Sequence, residues 1–200
     1  MQTYKLHLIR HGITQGNLEG KYIGVTDLPL CAQGVSQIQN LKNHIDYPTV
    51  SKVYSSPLLR CRQTAKILYP DNEVFVVPDL REYNFGTFEG KTADELEALP
   101  EYTEWTSGKI TAPPQGEDNT EFTKRICLAV NQIVRDMMNC GIFESAVIMH
   151  GGTIMSFLAA TALPRRKIVE WTAEPGRGYS VLVTPSLYQR SGIVEVFEQI

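Results

Sequence analysis

The sequence lacks the features that mark metal-binding, membrane-spanning or nucleic-acid-binding proteins. Its four cysteines lie far apart and form no CxxC pair, which argues against a zinc site and against a disulfide framework. No apolar run approaches the length of a membrane span. The formal net charge of -3 gives no general attraction for nucleic acid or for an anionic membrane. An anionic ligand must therefore be bound by a local cluster of arginines.

We expect no signal peptide, and the sequence shows no internal repeat and no linker between domains. A strand-like segment begins within the first few residues, where a signal peptide would have its charged and apolar regions. With 200 residues, 42% hydrophobic and 20% charged, the sequence has the composition of an ordinary globular protein with a substantial core. We therefore expect a single cytoplasmic domain over residues 1–200, as a monomer or a homodimer.

Strand-like and helix-like segments alternate along most of the chain. Short apolar runs predict strands over 6–9, 53–54, 74–77 and 146–149. Apolar positions at helical spacing predict amphipathic helices over 32–45 and from Asp118 to Gly141. Two final strands, over 179–184 and 193–197, are joined by a predicted turn. This alternation favours a three-layer α/β/α sandwich with a mostly parallel central sheet.

Local signals add detail between these elements. Ser56 followed by Pro57 predicts the start of a helix, with the serine as its cap. Thr92 and Glu95 are spaced as in a capping box. Residues 100–116 are the least regular part of the chain. Together with the loop before them, they predict a lid or substrate-specificity segment over 83–116.

Cationic side chains follow three of the predicted strands. Arg10 and His11 come after the first strand, Arg60 after the second and His150 after the fourth. Because the carboxyl ends of parallel strands meet at one edge of a sheet, these four side chains can share a pocket. Helices that begin nearby would direct backbone N–H groups at an anion. The arrangement predicts a phosphate site.

Other interpretations of these residues are available. A single Arg-His-Gly triplet occurs in many proteins by chance, and a histidine at a strand end is often only structural. His7 and His11 have the spacing of zinc ligands on a helix, but they lie on a predicted strand and no HExxH motif accompanies them. The phosphate site is therefore favoured only because the chain supplies several matching partners.

Four motifs and Asn17 carry a resemblance that covers essentially the whole chain. The motifs are LIRHG at 8–12, SSPLLRCRQTA at 55–65, LREYNFGTFEG at 80–90 and HGG at 150–152. In these residues and in their order, the sequence resembles the histidine phosphatase superfamily, the phosphoglycerate mutase-like group. The resemblance implies that group's α/β/α fold and its phosphoryl-transfer chemistry.

The resemblance also implies catalytic roles. His11 is the nucleophile that takes up the phosphoryl group as a phosphohistidine, and Glu82 is the general acid. Arg10 and Arg60 hold the phosphoryl oxygens through planar, permanently charged forks, and His150 is a further donor. Neighbouring guanidiniums disfavour protonation of the imidazole, which keeps it nucleophilic. Because phosphoryl transfer depends mostly on positioning and charge stabilisation, we expect no metal and no cofactor.

Further contacts with phosphate or substrate are implied for Asn17, the Gly151 amide, Tyr22 and Gly24. The expected partner is a small phosphorylated metabolite, and a phosphate or sulfate ion is expected to fit the same site. Substrate contacts are left open for four residues, each of which has a surface or packing role as its alternative. These are Arg62, Arg81, Trp105 and Arg177.

Within the family, the length of the chain and its YIGVTDLPL and LREYNFG stretches are most like α-ribazole phosphatase and its broad-specificity relatives. The expected reaction is therefore hydrolysis of a phosphomonoester such as α-ribazole 5′-phosphate. Two alternatives are a phosphoglycerate mutase and a non-catalytic phospholigand-binding protein. The chain departs from the family pattern at 114–118, which is PQGED instead of PGGES, and at Cys31, where threonine or serine is usual.

Overall fold

The computed structural model of the chain describes residues 2–200, which form a seven-stranded sheet and eight α-helices. The strands are β1 (Tyr4–Arg10), β2 (Lys52–Ser55), β3 (Val74–Val76), β4 (Glu144–Met149), β5 (Ala162–Leu163), β6 (Gly178–Val183) and β7 (Val194–Gln199). The helices are α1 (Gln15–Leu18), α2 (Ala32–His44), α3 (Leu59–Leu68), α4 (Ala93–Leu96), α5 (Pro100–Thr106), α6 (Asn119–Cys140), α7 (Gly151–Thr161) and α8 (Pro185–Ser191). Three short 3₁₀ helices lie at Pro78–Leu80, Gly86–Phe88 and Ile168–Trp171.

The strand order is β3-β2-β4-β1-β6-β7-β5. Strand β4 pairs in parallel with both β1 and β2, and β2 pairs in parallel with β3. Strand β6 runs antiparallel to its neighbours β1 and β7. The predicted, mostly parallel sheet is confirmed. As a result, the carboxyl ends of β1, β2 and β4 lie side by side at one edge.

Apolar layers cover both faces of the sheet. On one face, Leu6 and Leu8 of β1 pack in a large core with residues of α6 and α7, such as Ile126 and Phe157. On the other face, Ile9 packs in a smaller core with residues of α2 and α3. Because side chains alternate along a strand, the short run in β1 supplies both cores. This confirms the three-layer sandwich.

Capping residues fix where several helices begin. Thr92 and Glu95 form the predicted capping box of α4, and Asp118 caps α6 by accepting from the Thr120 and Glu121 amides. The Cys31 thiol accepts from the Gly34 N–H at 3.3 Å and so caps α2. This is the task that a threonine or serine hydroxyl usually performs at a helix start.

Three local predictions are wrong. Helix α3 begins at Leu59, two residues after Pro57, and the Asp27 carboxylate accepts from its first amide at 2.6 Å. Ser56 does not cap this helix; its hydroxyl accepts from the Leu58 amide at 3.4 Å, one residue before the helix begins, and also bonds to His150. Residues 100–106 form helix α5, and helix α8 lies where a turn was expected between the last two strands.

No helix within residues 2–200 combines the length and the hydropathy that crossing a membrane requires.

Candidate active site

A cavity of about 230 Å³ opens at the carboxyl ends of β1 and β4. Strand β1 delivers Arg10 and His11 to it, and the start of α7 delivers two glycine backbones. The LREYNFGTFEG segment contributes an acid and an aromatic ring from the opposite side. The lining residues are Arg10, His11, Asn17, Lys21, Tyr22, Ile23, Glu82, Phe85, Gly151, Gly152 and Met155.

The His11 ring is fixed in one tautomer by its own backbone. Its Nδ1 lies 2.6 Å from the Gly12 carbonyl oxygen, and since a carbonyl can only accept, Nδ1 carries the proton. Nε2 therefore has the free lone pair. The Gly12 amide donates to the Thr64 hydroxyl at 3.0 Å, which holds the loop after β1 in place. The imidazole is thus oriented with a nucleophilic nitrogen left unused.

Burial keeps this imidazole neutral. Together with the nearby positive charges of Arg60 and Arg10, and against the raising effect of the Gly12 hydrogen bond, it lowers the pKa of His11 to about 3. A neutral imidazole retains its lone pair at physiological pH. His11 is therefore in the nucleophilic state without help from a separate base.

The Arg10 guanidinium uses a terminal nitrogen in a hydrogen bond to the protein, whereas its Nε has no hydrogen-bond partner within residues 2–200. One terminal nitrogen donates to the Ala173 carbonyl at 2.8 Å. Its Nε is buried and has no hydrogen-bond partner among residues 2–200. A Cβ added at Gly151 would lie 3.3 Å from this Nε, so the glycine leaves the space beside it open. A buried N–H without a partner is costly, and an anionic oxygen in the cavity would satisfy it.

Arg60 and His150 lie behind His11 and do not line the cavity. Arg60 is 1% exposed; it donates to the Gly24 and Thr26 carbonyls at 2.6 and 2.8 Å and, through Nε, to His150 Nδ1 at 3.3 Å. Since His150 Nδ1 accepts, its Nε2 is protonated and donates to the Ser56 hydroxyl at 2.7 Å. Both ring nitrogens of His150 are thereby engaged within the protein.

Glu82 faces the cavity with its carboxylate held by two backbone amides. Oε1 accepts from Tyr83 and Oε2 from Gly152, each at 3.0 Å. Burial raises the pKa of Glu82, although the two amides and the charges of Arg60 and Arg10 lower it. A raised pKa keeps a proton available for transfer. The geometry therefore provides a carboxyl group suited to donating and accepting a proton.

Asn17 and Gly151 supply further polar atoms to the cavity. The Asn17 Oδ1 accepts from the backbone and hydroxyl of Thr14, both at 3.0 Å, which caps α1 and leaves Nδ2 as the donor of this lining residue. Gly151 is the first residue of α7, where backbone N–H groups are not used within the helix. Glu82 takes the next amide, that of Gly152.

Aromatic rings form the mouth of the cavity. The Tyr22 ring contacts Phe85, Tyr102 and Trp105 at centroid distances of 5.0, 6.0 and 5.9 Å. Its hydroxyl pairs with the Tyr102 hydroxyl at 2.8 Å. Gly24, two residues on, lies outside the lining. Its amide donates to Glu89, and its carbonyl accepts from Arg60.

The sequence and the fold place the chain in a family. The sequence model of the histidine phosphatase superfamily (branch 1) matches residues 6–183. The chain belongs to this family. The family membership that the four sequence motifs predicted is confirmed.

Relatives of this histidine phosphatase superfamily member include two curated bacterial proteins, both named adenosylcobalamin/alpha-ribazole phosphatase. The one from Escherichia coli (strain K12) is 34% identical over 127 residues, 61% of this chain and 63% of that protein, so the match spans less than two thirds of its length. The one from Salmonella typhimurium is 28% identical over 181 residues, 86% of this chain and 87% of that protein.

The fold of the chain is similar to that of a solved structure, described as a putative alpha-ribazole-5'-P phosphatase from Escherichia coli K-12. The TM-score is 0.81 at 24% identity, over 97% of this chain and 94% of that one. At this identity the likeness concerns the fold alone.

Four residues of this superfamily member whose contacts were left open lie outside the cavity lining. Arg62 is exposed on α3, and Arg81 pairs with Asp79 at 2.9 Å. Trp105 packs behind Tyr22, and Arg177 borders a separate surface depression near the end of β7.

Five lining residues were missed by sequence reasoning. Lys21 and Ile23 flank Tyr22, Phe85 belongs to the LREYNFGTFEG motif, Gly152 belongs to the HGG motif, and Met155 lies about one helical turn further on. A helical reading of α7 from Gly151 could have found Met155, because residues three and four apart share a helix face.

Within residues 2–200, no group of three or more His, Cys, Asp or Glu residues is placed to hold a metal ion. The two histidines with zinc-like spacing have other partners. His7 Nδ1 lies 2.9 Å from the Ser180 hydroxyl and its Nε2 lies 3.1 Å from the Glu144 carboxylate.

Proposed function

We propose that this chain hydrolyses phosphomonoesters of a small metabolite through a phosphohistidine on His11. The observation that carries the proposal is the state of the His11 ring. Its Nδ1 donates to the Gly12 carbonyl, burial lowers its pKa to about 3, and it lines a cavity together with Arg10 and Glu82. A neutral imidazole with a free nitrogen, in the same cavity as a carboxyl group, suits double displacement at phosphorus.

In the first half-reaction, the His11 Nε2 lone pair attacks phosphorus and forms a P–N bond. The P–O bond to the alcohol breaks, and the departing oxygen takes the proton of the Glu82 carboxyl group. The raised pKa of Glu82 supports this role, because the acid must still hold a proton when substrate binds. The alcohol then leaves, and Glu82 is left as a carboxylate.

In the second half-reaction, the Glu82 carboxylate takes a proton from water as the water oxygen attacks the phosphohistidine. The P–N bond breaks, its electron pair returns to His11 Nε2, and inorganic phosphate is released. Glu82 is protonated again, so the enzyme returns to its starting state. Neither half-reaction requires a metal or a cofactor.

We assign phosphate binding to donors that line the cavity. Arg10 Nε, buried and without a partner, is the strongest of these, and Asn17 Nδ2 and the Gly151 amide complete the set. Arg60 has a different task. Since its fork is engaged by the Gly24 and Thr26 carbonyls, it acts through its charge, which keeps His11 neutral and offsets negative charge on the transferring group.

The substrate we propose is α-ribazole 5′-phosphate or a phosphomonoester of similar shape. Both curated relatives described above are named for this activity. The Tyr22 and Phe85 rings, which are tilted by 57° to each other, offer an apolar surface to the alcohol part of a substrate. Residues 83–116 include Phe85, Tyr102 and Trp105 of this mouth, in keeping with their predicted role in specificity. The cytoplasmic location, the oligomeric state and the single-domain boundary stay predictions.

The mutase alternative requires a place for the carboxylate of phosphoglycerate. The cationic side chains in the lining are Arg10 and Lys21, and Lys21 already pairs with the Glu19 carboxylate at 2.6 Å. A second anionic group on the substrate would thus compete with Glu19 for its cation. This argues for a substrate whose alcohol part carries no further negative charge.

The test is a metal-free screen of phosphate release over phosphomonoesters, with α-ribazole 5′-phosphate, 3-phosphoglycerate and p-nitrophenyl phosphate among them. We expect the strongest turnover on the first, abolished in a folded His11→Ala variant. Protein that is incubated with ³²P-labelled substrate and quenched in alkaline detergent should carry a label that is stable in base and lost in acid, as a phosphohistidine is, and that His11→Ala lacks.

Transfer between phosphoglycerates without net phosphate release would replace the proposal with the mutase. Binding of phosphate without release from any ester would favour the phospholigand-binding protein. Release that His11→Ala retains would refute the nucleophile.

A further inference from the structure

Glu89 lies outside the cavity lining yet gathers more hydrogen-bond donors than any group discussed above. Its Oε1 accepts from the amides of Gly24 and Val25 at 3.1 and 3.0 Å, and from that of Phe85 at 3.3 Å. Its Oε2 accepts from the Thr26 hydroxyl at 2.7 Å and shares the Gly24 amide at 3.1 Å. One carboxylate therefore holds the loop 24–26.

The same loop holds Arg60. The Gly24 carbonyl accepts from one terminal nitrogen of Arg60 and the Thr26 carbonyl from the other. Glu89 binds the N–H side of the loop and Arg60 binds its C=O side. The orientation of the Arg60 fork thus depends on where Glu89 places these two carbonyls.

Only a glycine fits between these groups. A Cβ at position 24 would lie 1.7 Å from the Tyr83 carbonyl oxygen and 2.5 Å from Glu89 Oε1. Neither approach is possible for a real side chain, so the absence of a side chain allows the carboxylate to reach the loop. This explains why Gly24 belongs near the site although it does not line the cavity.

We propose that Glu89 is a positioning residue for Arg60: by fixing the loop 24–26, it holds the guanidinium behind His11. The inference rests on the proposed phosphotransfer by His11, and it adds a residue that acts without touching substrate. The negative charge of Glu89 also lies close enough to stabilise the charged form of Arg60.

Position 89 requires a carboxylate because every group that faces this side chain is an N–H or O–H donor, so the side chain must only accept hydrogen bonds. Glutamine has the same shape, but one of its two terminal atoms is a donor and would face an N–H or hydroxyl group already directed at it. Glu89→Gln should therefore release one side of the loop while keeping the volume of the side chain. Glu97→Gln on the exposed end of α4 is the matched control.

The first measurement follows the Arg60 Nε–H signal by ¹H–¹⁵N NMR, assigned by its loss in Arg60→Ala. Because this N–H is buried and donates to His150, we expect a slowly exchanging signal in the parent protein and in Glu97→Gln. In Glu89→Gln it should broaden or disappear while the spectrum of the core persists. An unchanged signal in folded Glu89→Gln would overturn the proposal, whether or not the protein has phosphatase activity.

The second measurement is a kinetic cycle with p-nitrophenyl phosphate. Glu89→Gln should lower kcat by up to about 10²-fold, as misplacement of a catalytic group does, with KM little changed. In an Arg60→Ala background it should lower kcat by less than about twofold, because both changes act through one interaction. Full losses in both backgrounds would show that Glu89 does not act through Arg60.

Two further results complete the test. If Glu89→Gln fails to fold, Thr26→Val removes one donor to the carboxylate and keeps the Thr26 carbonyl, and it should weaken the Arg60 signal to a lesser degree. An intact signal in Thr26→Val would then count against the proposal. If the parent protein releases no phosphate from any ester, the proposed function fails, and the NMR result alone decides the role of Glu89.

Discussion

Arg60 and His150 form a wall behind His11, and the aromatic rings form the mouth in front of it. These two regions are built differently. In the wall, Arg60 and His150 are buried and every hydrogen bond they make is to another group of the protein. At the mouth, half-buried Tyr22 meets its neighbours mainly through ring contacts and one hydroxyl pair. The polar wall fixes geometry, whereas ring packing allows adjustment.

This difference assigns separate tasks to the two regions. A hydrogen bond has a narrow range of distances and angles, so a buried network of them specifies one arrangement. Apolar ring contacts are less directional and tolerate ligands of different outline. We therefore expect changes in the wall to act on kcat for every substrate, and changes at the mouth to act on KM for particular substrates.

The strongest test of this difference between wall and mouth compares two separate substitutions, Arg60→Ala and Arg62→Ala. Both lie on α3, but only Arg60 is buried behind His11, and Arg62 is exposed. Arg60→Ala should lower kcat by about 10²–10³-fold, the typical loss of one group that stabilises the transition state. Arg62→Ala should leave kcat and KM unchanged. Steady-state kinetics on folded proteins checks both, and near-normal kcat in Arg60→Ala would refute the role of the wall.

The buried histidines also make stability depend on pH. Burial lowers the pKa of His7, His11 and His150, that of His11 to about 3. Between the folded and unfolded pKa values the unfolded chain binds more protons, so this contribution is complete above about pH 6.5 and is lost as pH falls. Each fully shifted histidine should cost about 1.4 kcal/mol at pH 5.5.

Urea denaturation at pH 7.5 and pH 5.5 measures this effect. Glu82, whose pKa is raised, works in the opposite direction, but it is one group against three. His44→Gln is the control because His44 is exposed, and the variant should show the same fall in the free energy of unfolding as the parent protein. Equal stability of the parent at the two pH values would contradict the neutral, buried state of the histidines.

Sequence reasoning succeeded where the signal is local. A strand end followed by Arg10, His11 and a glycine predicts both the strand and the edge at which it ends, and the HGG motif does the same for β4. Pro185 at the start of α8 and Gly192 after its end are also local signals. Together they indicate the helix that lies where a turn was expected.

Sequence reasoning failed where the partner lies far away in the chain. Spacing predicted that Arg60 comes near the site, but not that its fork would meet carbonyls 34 and 36 residues earlier. Glu89 had no signal beyond its motif, because three of its four donor groups come from a loop more than 60 residues before it. Such contacts depend on how the sheet brings loops together, which periodicity does not encode.

The mouth can be tested by removing a ring and by removing only a hydroxyl. Tyr22→Ala should raise KM for p-nitrophenyl phosphate by about tenfold, the equivalent of roughly 1.4 kcal/mol of lost ring contact, with kcat little changed. Tyr22→Phe keeps the ring contacts and loses only the bond to Tyr102, so its KM should stay near that of the parent. If Tyr22→Ala lowers kcat and leaves KM alone, the two regions do not differ as described.

The smallest expected effect lies in the turn that supports the mouth. Gln115 has a φ of 59°, a left-handed conformation that costs a non-glycine residue about 1–2 kcal/mol. It stands at the first glycine position of the family's PGGES pattern, and the turn is tied to the Glu82 segment by the bond from the Glu117 amide to the Asn84 carbonyl at 2.9 Å. Gln115→Gly removes the strain but increases the freedom of the unfolded chain.

The two effects of Gln115→Gly leave a net gain of about 0.5–1 kcal/mol in the free energy of unfolding. Gln115→Ala is the matched control: it shortens the side chain and retains the strain, so it should gain nothing. Thermal and urea denaturation measure both, and kcat should be unchanged since Gln115 does not line the cavity. If the alanine variant gains as much as the glycine variant, the glutamine side chain and not its backbone is the source of the cost. If Gln115→Gly raises the free energy of unfolding without loss of kcat, the backbone on the mouth side can change its conformation without harm to catalysis. Substitution of the wall residue Arg60, in contrast, should lower kcat.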